Sequence, residues 1–279
     1  MSKLNKRFIS AIVMISIFLY LIYDASILGV IFAELIFSIV FWEYLGFFKK
    51  KKNKIIFTIV FIFLNVIFPL LIINFITRPS TDSIFPIFIF SIASFIWILI
   101  GITIFRFEKE HWSDLKVACL GILVLTPAMD SLFIILSQPM YPLLIIGTVS
   151  IADTAAYFIG KKFGKTLIIP KVSPGKTVEG FVGSLIVTPF VTMISAIIFN
   201  LNIFHFIFFG IAIALISFFG DVFFSLLKRN KGMKDSSDLI PGHGGFIDLL
   251  DGTIAVLPFF ALSALMVFLL GFNFSWITF

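Results

Sequence analysis

Charge is what this chain has least of. Asp, Glu, Lys and Arg make up 13% of its 279 residues, where a soluble domain carries about 25%. That excludes a soluble enzyme wetted on every side. Cysteine is rarer still: Cys119 stands alone inside an apolar run, so no disulfide can close within one chain. A basic domain is also missing. The net charge of +6 is spread over short loops, which leaves no surface to hold a duplex and excludes nucleic acid as a partner.

Apolar residues are abundant, at 60% of the chain with 39 Phe. Runs of about 20 apolar residues recur, the signal of transmembrane helices. Nine spans are predicted, over 8–23, 26–48, 55–77, 83–105, 117–137, 142–160, 180–200, 206–227 and 246–271. No small-residue cleavage site follows the first run, which reads as a retained helix rather than a signal peptide. With a cytoplasmic N-terminus, 20 of the 21 Lys and Arg fall on the cytoplasmic side and only Arg78 falls outside, as the positive-inside rule requires. The predicted fold is therefore an all-α, polytopic integral membrane protein of about nine transmembrane helices, with its C-terminus outside. Two regions are expected. Residues 1–140 carry spans one to five; residues 141–279 carry spans six to nine and the cytoplasmic loops 161–179 and 228–245. Lys49 to Lys52 are assigned to topology and attraction to anionic lipid.

Seven carboxylates lie inside predicted spans: Glu34, Glu43, Asp130, Asp153, Asp221, Asp248 and Asp251. No Lys or Arg does. A lone carboxylate in hydrocarbon costs several kcal/mol and marks a functional site by default. Protonation, a base reaching in from a loop, or a bound metal cation would each offset that cost. Glu34 and Asp130 lie far from the basic loops and read as protonated or hydrogen-bonded helix contacts. Glu43, Asp153, Asp221 and Asp251 sit about 9–12 Å from a basic or glycine-rich loop, at 1.5 Å per residue, and Asp248 lies closer, so four helices bring acids to one shallow layer. Asp248 and Asp251 share a helix face at i, i+3, and Asp221, Ser225 and Lys228 follow i, i+4, i+7. Spans eight and nine are thus expected to hold Asp221, Asp248 and Asp251 around one cation. Oxygen-only ligation suits Mg²⁺, with a second cation as an option, and not Zn²⁺, for which His243 is one soft ligand too few.

Both loops read as phosphate sites. Ser173-Pro174-Gly175-Lys176-Thr177 offers a turn, a hydroxyl and an ammonium. Gly175-Lys176-Thr177 is not a P-loop, since the upstream glycine is absent and no strand is expected before it. Pro241-Gly242-His243-Gly244-Gly245 lets backbone N–H groups approach an anion at the start of span nine, where the helix dipole is positive.

Ser225-x-x-Lys228-Arg229, Lys234-Asp235-x-Ser237 and Pro241-Gly242-His243-Gly244-Gly245-Phe246-x-Asp248, with Asp251, closely resemble the signature of the phosphatidate cytidylyltransferases. Asp153-x-x-Ala156-Tyr157-x-x-Gly160-Lys161 and Ser173-Pro174-x-Lys176-Thr177-x-Glu179-Gly180 are similar to that family's upstream motif. The likeness is tight over about 150–255. One position departs: Leu249 stands where the family commonly has Arg. The resemblance implies a multi-pass enzyme of the cell membrane, its site facing the cytoplasm, that converts CTP and phosphatidic acid to CDP-diacylglycerol and pyrophosphate. It implies metal binding by Asp221, Asp248 and Asp251 and phosphate clamping by Lys176, Lys228, Arg229 and Lys234, with His243 as a phosphate donor. Asp153, Ser173, Thr177, Glu179, Ser225, Asp235, Gly242, Gly244 and Gly245 complete the implied substrate site. The alternatives are another CTP-dependent lipid kinase or transferase, and an ion-coupled transporter. Phe-rich helix faces are compatible with lateral packing into a homodimer.

Overall fold

The computed structural model describes residues 27–77, 85–104, 112–136, 140–198, 202–240 and 244–269. The predicted span 8–23, Arg78, Gly242 and His243 lie outside the described residues. Each of the other eight predicted spans is one helix: α1 (Ile27–Tyr44), α2 (Lys51–Thr77), α3 (Phe85–Ile104), α4 (Asp114–Ile135), α5 (Met140–Phe163), α6 (Val178–Ile198), α7 (Ile203–Asn230) and α8 (Phe246–Leu269). Among the described residues, six helices are long and apolar enough to cross a membrane, α3 to α8. About 20 residues at 1.5 Å rise match the hydrocarbon thickness. The chain is a polytopic, predominantly helical membrane protein.

Outward faces are as apolar as inward ones. Phe204, Phe208, Ile211 and Leu215 form an exposed stripe along α7. Such a stripe would drive aggregation in water and suits lipid, where each helix satisfies its own backbone. α8 lies at the centre, packed against α1, α3, α4, α5 and α7. Its Ile247, Ile254, Ala255 and Ala261 are fully buried. α7 crosses α8 closely because Gly220 has no side chain. A Cβ there would stand 2.5 Å from the Asp251 carbonyl oxygen and 2.7 Å from the Ala255 Cβ. That crossing brings Asp221 beside Asp251.

Two features depart from the sequence expectations, and both concern the site. First, α7 runs to Asn230 instead of ending at 227, so Lys228 and Arg229 occupy its last turn. Cations are favoured there by the negative end of the helix dipole. Lys228 is 8% exposed, so the membrane helices do contain a buried base. Second, the loop at 161–179 contains a ribbon. β1 (Leu167–Ile169) pairs antiparallel with β2 (Ser173–Thr177), in register Leu167↔Thr177 and Ile169↔Ser173. Pro and Gly in so short a segment mask the strand signal. The all-α reading therefore holds except for this ribbon. Gly175-Lys176-Thr177 lies extended in β2, not wrapped around phosphate as a P-loop.

The same end of the bundle is tied by long-range contacts. Asp114 at the start of α4 accepts from Lys49 N (2.9 Å), Lys50 N (2.8 Å) and Asn53 Nδ2 (3.0 Å), capping α2. Lys231, just past α7, lies 3.9 Å from Asp114. Burial pushes the Lys231 ammonium below its usual pKa range despite Asp114, and neighbouring Lys49 and Lys54 add to the shift.

Candidate active site

Four elements converge on Lys176. β2 carries Lys176 itself. α7 carries Asp221 with Ser225 one turn on, α5 carries Asp153 and α8 carries Asp251. The Lys176 ammonium contacts Asp221 Oδ2 and lies 4.7 Å from the centroid of the Phe218 ring, a cation–π position. Ser225 Oγ donates to Asp221 Oδ1 at 3.3 Å. Asp251 has Asp221, Asp153, Lys176 and Lys228 as its charged neighbours, and Asp153 faces Asp221 and Lys176. Asp153, Asp221 and Asp251 thus share one neighbourhood with Lys176, while Lys228, also near Asp251, is hydrogen-bonded to Asp248.

Lys228 belongs to a second knot. Its Nζ donates to Asp248 Oδ1 at 2.6 Å, with side chains only 9% and 8% exposed. The other oxygen, Asp248 Oδ2, accepts from Ser236 N (2.7 Å) and Gly245 N (2.9 Å), and shares the one Ser236 hydroxyl proton (3.0 Å) with Glu43 Oε2 (2.9 Å). The last bond is a capping-box contact, reaching back from the first turn of α8 to the residue before the helix. Glu43 at the end of α1 accepts from Ser237 Oγ (2.6 Å), Ser236 Oγ (2.9 Å), Phe246 N (2.9 Å) and Ile247 N (2.8 Å). The turn before α8 is closed by mutual Ile240–Gly244 backbone bonds of 2.7 and 3.1 Å. Gly244 adopts φ 95° there, a conformation that glycine takes without strain.

These contacts bear on three sequence expectations. Asp248, expected beside Asp221 and Asp251 as a metal ligand, is held by partners of its own. Asp248 spends both oxygens on Lys228, Ser236 and Gly245, and among the described residues no three His, Cys, Asp or Glu gather as a metal cage. The start of α8 is not open to an anion either, since Gly245, Phe246 and Ile247 donate their N–H groups to Asp248 and Glu43. And of the remedies left open for the acids, bases are the ones seen: Lys176 reaches in from the ribbon and Lys228 from the last turn of α7.

Other predicted residues divide between the site and its supports. Arg229 is a brace: Nε donates to Val172 O and Nη1 to Met233 O, each at 3.1 Å, fastening the ribbon to the end of α7. Glu179 holds the chain entering β1, accepting from Lys165 N (3.0 Å) and Thr166 N (3.2 Å). Thr177 Oγ1 accepts from Gly180 N at 3.2 Å as the cap of α6. Ser173 pairs with Ile169 at the start of β2. Lys234 and Asp235 are exposed on the loop after α7. Sequence reasoning counted Glu43 only as one acid of a layer, and missed Ser236 and Phe218. The Ser236-Ser237 pair within the Lys234-Asp235-x-Ser237 motif was the available signal for Ser236.

The donor set fits a divalent cation in part. Asp221, Asp153 and Asp251 supply hard oxygens with a deficit of positive charge, and Mg²⁺ is usually held by one or two carboxylates plus substrate phosphates. Glu34 and Asp130 stand apart from this site. Asp130 is fully buried and both its oxygens lack a hydrogen-bond partner.

The chain is 45% identical over 116 residues to a phosphatidate cytidylyltransferase of Haemophilus influenzae, covering 39% of this chain and 40% of that one. It is 38% identical over 123 residues to the phosphatidate cytidylyltransferase of Thermotoga maritima (42% and 46% covered). It is 34% identical over 167 residues to that of Aquifex aeolicus (59% and 63% covered). The chain thus spans about half the length of these curated relatives. The sequence model of the cytidylyltransferase family matches residues 5–267, nearly the whole chain. On the strength of that match, this membrane protein belongs to the cytidylyltransferase family.

Proposed function

We propose that the protein transfers a cytidylyl group from CTP to phosphatidic acid, forming CDP-diacylglycerol and pyrophosphate at the cytoplasmic face of the cell membrane. One observation carries the reading. Two buried or half-buried lysine–aspartate pairs, Lys176–Asp221 and Lys228–Asp248, meet Asp153 and Asp251 where three helices and β2 come together, in a chain of this family. The reactants are both anions. A lipid phosphate oxygen bonds to the α-phosphorus of CTP, and the bond from that phosphorus to the bridging oxygen breaks, releasing pyrophosphate. Phosphatidate is already ionised near neutral pH, so no strong base is needed. Lys176 is placed to exchange its Asp221 contact for a phosphate, as a point charge. Lys228, held by Asp248, presents a fixed positive charge beside Asp251. Lys234, exposed on the adjoining loop, is free to meet the triphosphate from the aqueous side. Asp221 and Asp251 are the residues that would hold Mg²⁺, which when bound neutralises charge on the transferring phosphates.

The setting follows from the same reading. Nine spans, the first over 8–23, place the N-terminus inside and the C-terminus outside, with the site near the headgroups. Chemistry resides in 141–279 and scaffolding in 1–140, and two copies associate laterally. A double-label assay tests the activity. Purified protein with phosphatidic acid and Mg²⁺ is given CTP labelled at the α- or the γ-phosphate. Label in lipid from α only, abolished by chelator, supports nucleotidyl transfer. Label from γ would make the protein a lipid kinase. Label from neither overturns the proposal.

A further inference from the structure

We infer that Glu43, from the first described helix, is a positioning residue for this site; the inference rests on the transferase reading above. It is 3% exposed and 193 or more residues away in sequence from the four groups it binds. Two are the hydroxyls of Ser236 and Ser237 and two are the first N–H groups of α8. Among the described residues no ammonium pairs with it, so its charge is offset by two N–H groups, the Ser237 hydroxyl, the shared Ser236 hydroxyl and the helix dipole. The arrangement is a cap supplied from another helix.

The cap reaches the reacting end through Ser236. The Ser236 hydroxyl lies 2.9 Å from Glu43 Oε2 and 3.0 Å from Asp248 Oδ2, and Asp248 holds Lys228 at 2.6 Å. Glu43, Ser236, Asp248 and Lys228 form one continuous chain. Glu43 thereby fixes where Lys228 sits, and by occupying the start of α8 it keeps phosphate on the Lys176 side of the site. Steric fit around it is tight. A Cβ on Gly245 would approach both Glu43 oxygens at 2.5 Å and collide with Ser236 Oγ.

The test uses full-length protein in nanodiscs. Glu43→Gln keeps the shape but turns an amide NH₂ toward donors. Gly245→Ala pushes the intact carboxylate aside. Ser237→Ala removes one donor only and serves if the first two fold poorly. Rates are taken per mole of folded enzyme. Glu43→Gln and Gly245→Ala are expected to lower kcat on the order of 10²-fold, the scale of a misplacement of about 1 Å. KM for CTP should stay within about twofold, the mark of an interaction made in the transition state. A purely structural role would reduce the folded fraction and leave kcat per folded molecule unchanged, and that result overturns the inference. Amide exchange at Phe246 and Ile247 is read without substrate. It should accelerate in Glu43→Gln; unchanged exchange also overturns the inference. If wild-type protein does not use CTP while exchange still responds, the transferase reading has failed and the cap geometry stands.

Discussion

Asp221 and Asp248 look alike in sequence, yet the structure gives them opposite consequences when neutralised. Asp248→Asn strips the charge from a pair in which both side chains are less than a tenth exposed. It leaves the Lys228 ammonium buried beside a neutral amide. The amide NH₂ must then face either Lys228 or the three donors from Ser236 and Gly245. Breaking one partner of a buried pair costs about 3–5 kcal/mol. At about 2–4 °C per kcal/mol for a chain of this size, the apparent Tm should fall by about 6–20 °C. Asp221 is different, with its side chain 32% exposed and one ammonium partner that is 20% exposed. Its replacement by Asn should cost at most about 1 kcal/mol, yet turnover should vanish, because in the proposed reaction Asp221 would hold the Mg²⁺ that neutralises the phosphates. The assay pairs a thermal melt in detergent with CTP incorporation into lipid. Equal Tm losses in the two variants, or normal turnover in Asp221→Asn, would refute the division of the two aspartates into a strut and a working group.

Three further outcomes are expected. Lys176→Met should keep the fold, since the apolar stem can still cover Phe218, but raise KM for CTP at least tenfold; steady-state kinetics with an unchanged KM would remove Lys176 from the phosphate site. Gly220→Val should force α7 away from α8 and cost about 1–3 kcal/mol, seen as a lower melting temperature and lost activity; a variant as stable as wild type would contradict the close crossing at Asp251. Asp130→Leu should raise stability by about 1–3 kcal/mol by deleting a buried polar group without partners, and a drop in Tm would show that this carboxyl has a partner after all.

How much was legible in the sequence depends on the range of the interaction. Hydropathy is local, so the described helices α1 to α8 fell where apolar runs predicted them, and the membrane class followed from composition alone. Motif spacing also singled out Asp221, Lys228, Asp248 and Asp251, because neighbours at three, four and seven residues share a helix face, and the Ser173–Thr177 turn signal singled out Lys176. Which acid met which base was not legible. The α-helix period fixes directions around one axis and says nothing about where a second axis crosses. Only the Gly220 crossing, the β1–β2 ribbon and the extra turn of α7 decided that Lys176 takes Asp221 and Lys228 takes Asp248. Glu43 shows the limit most clearly. From the sequence it was one acid of a shallow layer, and tertiary packing made it the cap of a helix about 200 residues away, because a buried carboxylate and the unsatisfied N–H groups of a helix start stabilise each other only once folding has brought them together.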